Sequence, residues 1–351
     1  MRIIPLQQRI EAFVRLGRYL AKAADDNTPG DVTDHPEHLQ NLIESRAVAS
    51  AHNPWFIAEN INYALQTWTE ALTEQHITEW LVPYSDELKP IKEPRKVAVV
   101  MAGNIPAVGF HDLLCVLAAG DTVKVKLSSS DQLLIPSITR CLTELEPAWN
   151  NRIEYVTETL SGFDAVIATG NDNTARYFEY YFGKYPHIIR KNRTSVAVLT
   201  GHETPEELEL LAEDVFQYFG LGCRNVTKLY VPQGYDFVRL LDAFRKYNHL
   251  ADHHKLKNNY DYNLALHILN KKFYMTNGSI LLVEADAVFS PISQLNYEFY
   301  KNADELMANL AKSEEIQCIT GKGHIPFGSA QCPSITDYAD GVDTLDFLKN
   351  L

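Results

Sequence analysis

One of the five cysteines of this sequence has the surroundings of a reactive thiol. Cys223 stands in the segment Gly220-Leu-Gly-Cys-Arg224, at a predicted turn between a helix and a strand. The glycines allow positive φ angles and leave room for a ligand beside the backbone, and the neighbouring arginine favours the thiolate. On these features alone, a buried structural cysteine is the alternative and the more common case. Cys223 is therefore a candidate nucleophile, and the surrounding elements must position it.

The other cysteines and the paired histidines are predicted to be structural. Cys115 and Cys141 lie in apolar helical segments, which favours packing in the core. The cysteines are odd in number, widely spaced and without a C-x-x-C pair, so the sequence predicts neither a disulfide framework nor a metal site. Two close histidine pairs in polar surroundings are expected to be surface residues rather than ligands: His35-Pro-Glu-His38 and His253-His254.

The composition is that of a globular chain of about two domains. It has 351 residues, of which 46% are hydrophobic and 22% charged. Lys and Arg number 32 against 45 Asp and Glu, a net charge of −13, which argues against a nucleic-acid partner or an anionic lipid surface. The N-terminus lacks the apolar region of a signal peptide, and no run of about 18 apolar residues predicts a membrane span. We therefore expect a cytoplasmic protein.

The first part of the chain is typical of accessory helices followed by a doubly wound α/β domain. The predicted elements are a helix at 6–24 that ends before a break at 27–30, a helix after Asn53-Pro54, a strand at 96–101, a helix at 110–119, a strand at 122–127, a helix at 131–145 and a strand at 165–168. The strand, helix and strand from 96 to 127 form a β-loop-α-β unit, which predicts a parallel pair.

A second α/β domain is predicted after residue 200. Thr204 is a predicted N-cap, with Pro205 at the first helical position and Glu207 at the capping-box spacing, and the helix is expected to run to about Phe219. The predicted strands in this part are 195–199, 226–231 and 279–283. The expected division is 1–200 for the helices and cofactor-binding domain, 201–330 for the catalytic domain, and 331–351 for a tail that returns to the first domain or forms an oligomer contact.

Several segments resemble the aldehyde dehydrogenase superfamily, in the same order along roughly residues 95–295. Gly220-Leu-Gly-Cys223, with Lys228 five residues after the cysteine, resembles the nucleophile segment. Gly103-Asn-Ile-Pro106 is similar to the superfamily's aromatic-Asn-x-Pro loop, with glycine replacing the aromatic residue. The further matches are Ala118-Ala-Gly-Asp121 with Lys126, Ala168-Thr-Gly-Asn171 and Val288-Phe-Ser-Pro291. No G-x-G-x-x-G fingerprint, P-loop or G-x-S-x-G elbow is present.

Within this superfamily the sequence most resembles the LuxC-type acyl-CoA reductases, the fatty-acid reductases of bacterial bioluminescence. The segments that carry this resemblance are Gly103–Asp112, Phe219–Asn225 and Phe327–Thr344. The resemblance implies an aldehyde dehydrogenase-like α/β fold, made of two doubly wound, Rossmann-like domains with the active site between them. It also implies NAD(P)H-dependent reduction of an acyl-CoA thioester to an aldehyde through a covalent cysteine thioester.

The same resemblance assigns roles to individual residues. Cys223 is expected to be the nucleophile, and the Asn104 side-chain amide is expected to hold the oxyanion together with the Cys223 backbone N–H. The expected cofactor-binding residues are Ala102, Gly103, Lys126, Ser128, Ser129, Thr169, Gly170, Asn171 and Phe289. Ala287 stands where the superfamily has a ribose-binding glutamate, with Asp286 and Glu284 nearby.

One departure from the superfamily bears on the reaction. Hydrolytic aldehyde dehydrogenases use a glutamate in E-L-G-G-K to activate water, whereas the matching stretch is Ile189-Arg-Lys-Asn-Arg193 here. Because transfer to coenzyme A needs no general base for water, acyl-CoA reduction is favoured over oxidation to an acid. An acyl-phosphate reductase, with Arg190, Lys191 and Arg193 as a phosphate pocket, remains an alternative. So does an acyl-transfer or acyl-protein-docking subunit that lacks reductase activity.

Cofactor and partners follow from the same comparison. Ser129 stands where NAD-preferring relatives often carry a glutamate, and Lys124 and Lys126 are close in sequence, so the expected cofactor is NADPH, with NADH as the alternative. The expected substrate contains coenzyme A, and an acyl-donor protein is a further candidate partner. The resemblance also implies a homo-oligomer. The histidines His111, His187 and His324 are considered for proton transfer, but a structural role is the simpler interpretation.

Overall fold

Two β-sheets, each made mainly of parallel strands, organise the part of the chain that the computed structural model describes, residues 4–25, 37–86, 88 and 93–351. Each sheet belongs to its own compact unit. The first unit is built from the described residues of Met1–Lys191 together with Ser334–Leu351, and the second unit is Asn192–Pro333.

The first unit combines a five-stranded sheet with eight described helices. Its strands are β1 (Lys96–Val100), β2 (Thr122–Lys126), β3 (Ile153–Tyr155), β4 (Ala165–Thr169) and β5 (His187–Arg190). Its helices are α1 (Leu6–Ala24), α2 (Glu37–His52), α3 (Ala58–Ala71), α4 (Glu74–Leu81), α5 (Phe110–Ala119), α6 (Leu134–Leu145), α7 (Asp172–Phe182) and α12 (Thr344–Lys349).

The sheet of the first unit is parallel throughout, in the order β3-β2-β1-β4-β5. The central strand β1 is buried from Val97 to Val99, as expected for a strand covered on both faces. Helix α5 ends at Gly120, whose φ of 87° allows the left-handed C-cap. These features confirm the predicted doubly wound arrangement.

The N-terminal helix is firmly attached to this sheet unit. Helix α1 has the predicted bounds, and its Phe13, Leu16 and Leu20 are fully buried. The buried Arg9 guanidinium donates 2.6 Å from Nη1 to the carbonyl of Ala118, near the C-terminus of α5. The break predicted at 27–30 and one predicted surface histidine, His35, lie outside the described residues.

The second unit has a six-stranded sheet in the order β11-β6-β7-β10-β9-β8. Its strands are β6 (Thr194–Val198), β7 (Val226–Pro232), β8 (Met275–Thr276), β9 (Leu281–Glu284), β10 (Gln294–Tyr300) and β11 (Ile316–Gly321). Its described helices are α8 (Pro205–Phe216), α9 (Phe237–Ala243), α10 (His254–Leu269) and α11 (Ala303–Leu310). The β8–β9 pair is antiparallel and the other pairs are parallel.

The boundary between the two units lies between Lys191 and Asn192, earlier than the predicted boundary at residue 200. Strand β6 pairs with β7 and β11, so hydrogen bonding assigns it to the second sheet. The C-terminal segment from Ser334 belongs to the first unit. Within that unit the indole N–H of Trp80 donates 2.8 Å to the Tyr338 hydroxyl, which helps to attach the segment.

The start of α8 is as predicted, but its end is not. Thr204 caps the helix, Pro205 follows, and Glu207 completes a capping box with the Thr204 backbone N–H. The helix ends at Phe216 rather than Phe219, because Tyr218 and Phe219 have left-handed backbone conformations.

Among the described residues, no helix has the length and apolar character that a membrane span requires.

Candidate functional site

The predicted cofactor residues of the first unit lie at one edge of its sheet. Ala102 and Gly103 follow β1, Lys126 ends β2, and Thr169 ends β4. The strand order reverses between β1 and β4, and open parallel sheets bind nucleotides outside the carboxyl ends of their strands at such a point. The sequence-predicted cofactor residues of this unit therefore lie where this topology can hold a nucleotide.

Gly103 and Ser128 bring the loops after β1 and β2 into close contact. A Cβ atom added to Gly103 would lie 2.5 Å from Ser128 Oγ and 2.6 Å from its Cβ. Real Cβ atoms do not approach that closely, so this position requires glycine. The aromatic residue of the related motif could not be accommodated without moving the second loop. Ser129, next in that loop, is exposed.

A buried carboxylate holds the Asn104 loop. Asp131 accepts hydrogen bonds from the backbone N–H groups of Ala107, at 3.0 Å, and Leu134, at 3.3 Å. Burial raises the pKa of this carboxyl, while the N–H donors oppose the shift. Ala107 has a φ of 56°, which is uncommon for a residue with a Cβ. The exposed Asn104 side chain thus belongs to a loop whose end is anchored.

The two lysines of β2 hold a neighbouring loop. The Lys126 ammonium donates to the carbonyls of Thr157, at 2.5 Å, and Glu158, at 2.8 Å. The Lys124 ammonium donates 2.6 Å to the Ser161 carbonyl and lies 3.3 Å from the Glu154 carboxylate. Both ammonium groups therefore bind backbone carbonyls, and Lys126 is the one at the carboxyl end of the strand.

The turn after β4 starts a helix. Asn171 caps α7, since its Oδ1 accepts 2.9 Å hydrogen bonds from both the N–H and the hydroxyl of Thr174. The Gly170 N–H donates 3.2 Å to the Arg190 carbonyl. A Cβ atom at Gly170 would lie 3.0 Å from the Phe178 and Thr174 side chains. Asn171 thus has a structural role here, whatever contact it makes with a ligand.

The candidate nucleophile lies in a strained turn of the second unit. Cys223 is half-buried, between the end of α8 and the start of β7. Three consecutive residues before it have positive φ angles: Tyr218 (53°), Phe219 (57°) and Gly220 (75°). For residues with a Cβ this conformation costs roughly 1–2 kcal/mol each. Such strain persists only where surrounding contacts enforce it, and it concentrates at functional sites.

The segment of the predicted Phe289 contact is fixed by neighbouring strands of the second unit. The Asn296 amide donates to the carbonyls of Ala287, at 2.9 Å, and Phe289, at 3.1 Å. The Lys228 ammonium donates 2.7 Å to the Asp286 carbonyl, and it is buried with the Glu298 carboxylate 2.5 Å away. Lys228, the basic residue of the nucleophile motif, therefore holds the start of the segment 286–289, and Asn296 holds the rest.

The suggested phosphate pocket at 190–193 is wrong as regards Arg190. Its guanidinium is buried, lies 2.5 Å from an Asp112 carboxylate oxygen and donates 3.0 Å to the Thr344 hydroxyl. The ion pair keeps Arg190 charged and turned into the first unit, so it is not available to a phosphate. The sequence missed this pair because the partners are distant along the chain.

Of the histidines considered for proton transfer, His111 is in a structural position. Its Nε2 lies 2.8 Å from the Ile335 carbonyl, and its ring packs against Trp68, Trp80 and Tyr338. Burial lowers the pKa of this imidazole.

Cys115 and Cys141 are fully buried, as predicted.

Sequence reasoning missed Asp131, which anchors the Asn104 loop. The signal was an acidic residue after three consecutive serines, Ser128–Ser130, at a predicted helix start. Sequence reasoning also missed the residues that hold the Cys223 turn. A buried polar side chain beside a turn follows no fixed spacing, so no sequence pattern indicates it.

No protein-family model and no curated protein matches this sequence. Solved structures do resemble it. Aldehyde dehydrogenase 21 from Physcomitrella patens, in complex with the reaction product succinate, has a TM-score of 0.62 at 12% identity over 90% of this chain and 77% of its own. The NAD+ complex of an aldehyde dehydrogenase from Bacillus cereus has a TM-score of 0.59 at 11% identity over 90% and 75%.

A third similar structure is the NADP-dependent glyceraldehyde-3-phosphate dehydrogenase from Bacillus halodurans C-125, complexed with NADP. Its TM-score is 0.59 at 12% identity, and the match covers 90% of this chain and 73% of that one. At such identities the likeness concerns the fold. The predicted fold class is confirmed: this chain has an aldehyde dehydrogenase-like fold built on parallel, Rossmann-like sheets.

Proposed function

We propose that this protein reduces an acyl-CoA thioester to an aldehyde with a reduced nicotinamide cofactor, through a thioester of Cys223. The broader activity, NAD(P)-dependent aldehyde oxidoreduction, is supported by the fold and by the NAD+ and NADP complexes of similar structures. The choice of acyl-CoA reduction depends on the chain's own residues.

The observation that carries this choice is the apolar side chain at position 189. Ile189 stands where hydrolytic relatives have the water-activating glutamate, and it packs against the buried cluster of Ala98, Val166 and Ala168. The stretch 189–193 contains no carboxylate. Without a general base, an acyl-enzyme is hydrolysed slowly, whereas exchange with a thiol remains possible.

In the proposed reaction Cys223 does the covalent chemistry. Its thiolate attacks the carbonyl carbon of the thioester, and the C–S bond to coenzyme A breaks, so that coenzyme A leaves as a thiolate and takes a proton from solvent. We assign the oxyanion to the Cys223 backbone N–H and the Asn104 side-chain amide. Each such donor is worth about 3 to 4 kcal/mol of transition-state stabilisation.

Reduction of the acyl-enzyme then releases the product. A bound reduced nicotinamide would supply the hydride that converts the thioester carbonyl to the alkoxide of a thiohemiacetal. The alkoxide then re-forms the carbonyl as the C–S bond breaks, which expels the Cys223 thiolate and frees the aldehyde. We assign cofactor binding to the loops after β1, β2 and β4, because they carry an ammonium and hydroxyl groups at the sheet edge suited to a nucleotide.

The acyl-phosphate alternative is less well supported. A departing phosphate needs cationic partners, and the buried Arg190 is already paired with Asp112. The Lys228 ammonium is also buried and paired. The acyl-transfer alternative would need Cys223 but no nicotinamide, so cofactor binding separates it from the proposed function.

The test is an absorbance assay at the nicotinamide band, with NADPH and then NADH against acyl-CoAs of short to long chains. We expect oxidation that depends on acyl-CoA and that falls by about 10³-fold or more in Cys223→Ala. Cys332→Ala is the matched control, since this exposed cysteine lies in the same unit, and it should retain activity.

Each other outcome has a defined meaning. Turnover that persists in Cys223→Ala would refute the assigned nucleophile. If no thioester is reduced, an acyl phosphate is the next substrate to examine. If neither nicotinamide binds, the acyl-transfer alternative is favoured instead.

A further inference from the structure

We infer that Asn225 is the positioning residue of the Cys223 turn, an inference that rests on the function proposed above. Asn225 lies two residues after Cys223, immediately before β7, and its side chain is completely buried. It is the polar group that joins the end of helix α8 to the backbone beside the nucleophile.

The side-chain amide of Asn225 makes hydrogen bonds in two directions. Its Nδ2 donates to the carbonyls of Asp214, at 3.0 Å, and Gln217, at 2.8 Å. Its Oδ1 accepts a 2.8 Å hydrogen bond from the N–H of Gly222. One amide thus satisfies carbonyls that the helix end leaves without intrahelical partners, and it fixes the peptide that leads into Cys223.

The hydrogen bonds of the Asn225 amide account for the strained backbone between Gln217 and Gly222, the two residues that they join. The chain from Gln217 to Gly222 must pass through the left-handed residues 218–220 to bring both groups to the same amide. The Phe219 ring is buried and stacks on His253, with ring centroids 4.5 Å apart. The contacts therefore hold a conformation that the residues would not adopt alone.

A second contact holds the other side of Cys223. The Ser195 hydroxyl donates 3.1 Å to the Cys223 carbonyl, and the Cys318 sulfur lies 3.0 Å from the same hydroxyl. Because a hydroxyl has one hydrogen, the Cys318 thiol is the donor to Ser195 in this arrangement. The backbone of Asn225 closes the turn, with its N–H donating 3.0 Å to the Gly222 carbonyl.

An amide suits this position better than a carboxylate. Aspartate would keep an acceptor for the Gly222 N–H, but its second oxygen would face the carbonyls of Asp214 and Gln217. Its negative charge would also lie close to Cys223 and raise the pKa of that thiol. The charged or titratable groups that contact the turn include Arg224, which follows Cys223, and His253, on which Phe219 stacks. The Asp214 carboxylate binds the N–H groups of Gly328 and Ala330.

The test compares Asn225→Ala and Asn225→Asp with Asn263→Ala in the full-length chain. Asn263 is the matched control, because it is buried in the same unit and donates its amide 2.9 Å to the Ile292 carbonyl. We measure kcat and KM for acyl-CoA with NADPH. We also measure alkylation of Cys223 by iodoacetamide between about pH 6 and about pH 10, followed by peptide mass spectrometry.

We expect Asn225→Ala to lower kcat at least about tenfold with KM within about threefold, since the nucleophile is misplaced while substrate binding remains. Asn225→Asp should in addition raise the midpoint of the Cys223 alkylation profile by about 0.5 pH unit or more. Asn263→Ala should leave kcat and the midpoint nearly unchanged. A folded Asn225→Ala with wild-type kcat overturns the inference, as does an equal loss in Asn263→Ala.

Two further measurements keep the inference testable. If the Asn225 variants do not fold, Ser195→Ala removes one hydrogen bond to the same turn and should lower kcat about threefold; an unchanged kcat counts against the inference. If the wild-type protein reduces no acyl-CoA, the proposed function fails, but alkylation still decides the role of Asn225. An unchanged midpoint in Asn225→Asp then overturns this inference alone.

Discussion

The Asn104 loop of the first unit and the Cys223 turn of the second unit are held by different chemistry. In the first unit charged groups fix the loops: the Asp131 carboxylate binds the Ala107 N–H, and the Lys126 ammonium binds the carbonyls of 157 and 158. In the second unit the neutral Asn225 amide and Ser195 hydroxyl contact the Cys223 turn, and the Arg224 guanidinium of the turn donates 3.3 Å to the Ala330 carbonyl. The Asp214 carboxylate is directed to the N–H groups of Gly328 and Ala330 instead.

This difference follows from what each region is proposed to do. A loop that binds a polar cofactor can use charged supports, because their fields act on groups that are already charged or strongly polar. A thiol that must ionise is sensitive to nearby charge, and a carboxylate beside it would favour the unreactive protonated form. Neutral hydrogen bonds can hold such a turn without that penalty.

The largest expected effect comes from breaking the buried ion pair of the first unit. Asp112→Ala leaves the Arg190 guanidinium buried without its carboxylate. We expect the free energy of unfolding to fall by about 3–5 kcal/mol in urea titrations. Asp261→Ala, which removes an exposed pair with Lys257, should cost less than about 1 kcal/mol. Similar losses in both variants would contradict a structural role for Arg190.

The next effect concerns Asp214, a completely buried carboxylate of the second unit. Burial raises its pKa from 3.8 to about 6. Between these values the native state keeps a proton that the unfolded state has lost, so the stability that this group contributes is present at low pH and is lost as the pH rises. Relative to Asp214→Asn, the wild-type free energy of unfolding should fall by about 1–3 kcal/mol from about pH 4 to about pH 7. A difference that stays constant or rises with pH would show that this pKa is not raised.

The smallest expected effect tests charge at the proposed cofactor loop. Ser129→Glu adds a negative charge to an exposed position after β2, with Ser129→Gln as the neutral control. We expect the Kd for NADPH to rise about tenfold while the Kd for NADH changes little, because the carboxylate repels the 2′-phosphate. Fluorescence titration measures both constants. Equal changes in the Kd for NADPH and the Kd for NADH would show that the 2′-phosphate does not bind near Ser129.

The elements that the sequence predicted well have strong local signals. Helix α5 has the predicted bounds, since an apolar run ends at Gly120, whose positive φ closes the helix. The N-terminus of α8 follows from the capping box of Thr204 and Glu207. The predicted end of α8 and the predicted boundary near residue 200 differ from the structure, because contacts outside the local segment decide them. Asn225 binds the end of the helix, and strands β7 and β11 pair with β6.

The sequence by itself determined the α/β class and the aldehyde dehydrogenase-like fold, and it predicts that Cys223 is the nucleophile among the five cysteines. These depend on residue types at fixed spacing, which local propensity and motif resemblance can detect. Only the tertiary structure decided that Arg190 pairs with Asp112, that Lys124 holds a loop, and that Asn225 binds both Gly222 and the end of α8. Burial decides these pairings. A polar group that is removed from water must form a hydrogen bond with whichever partner the fold places beside it.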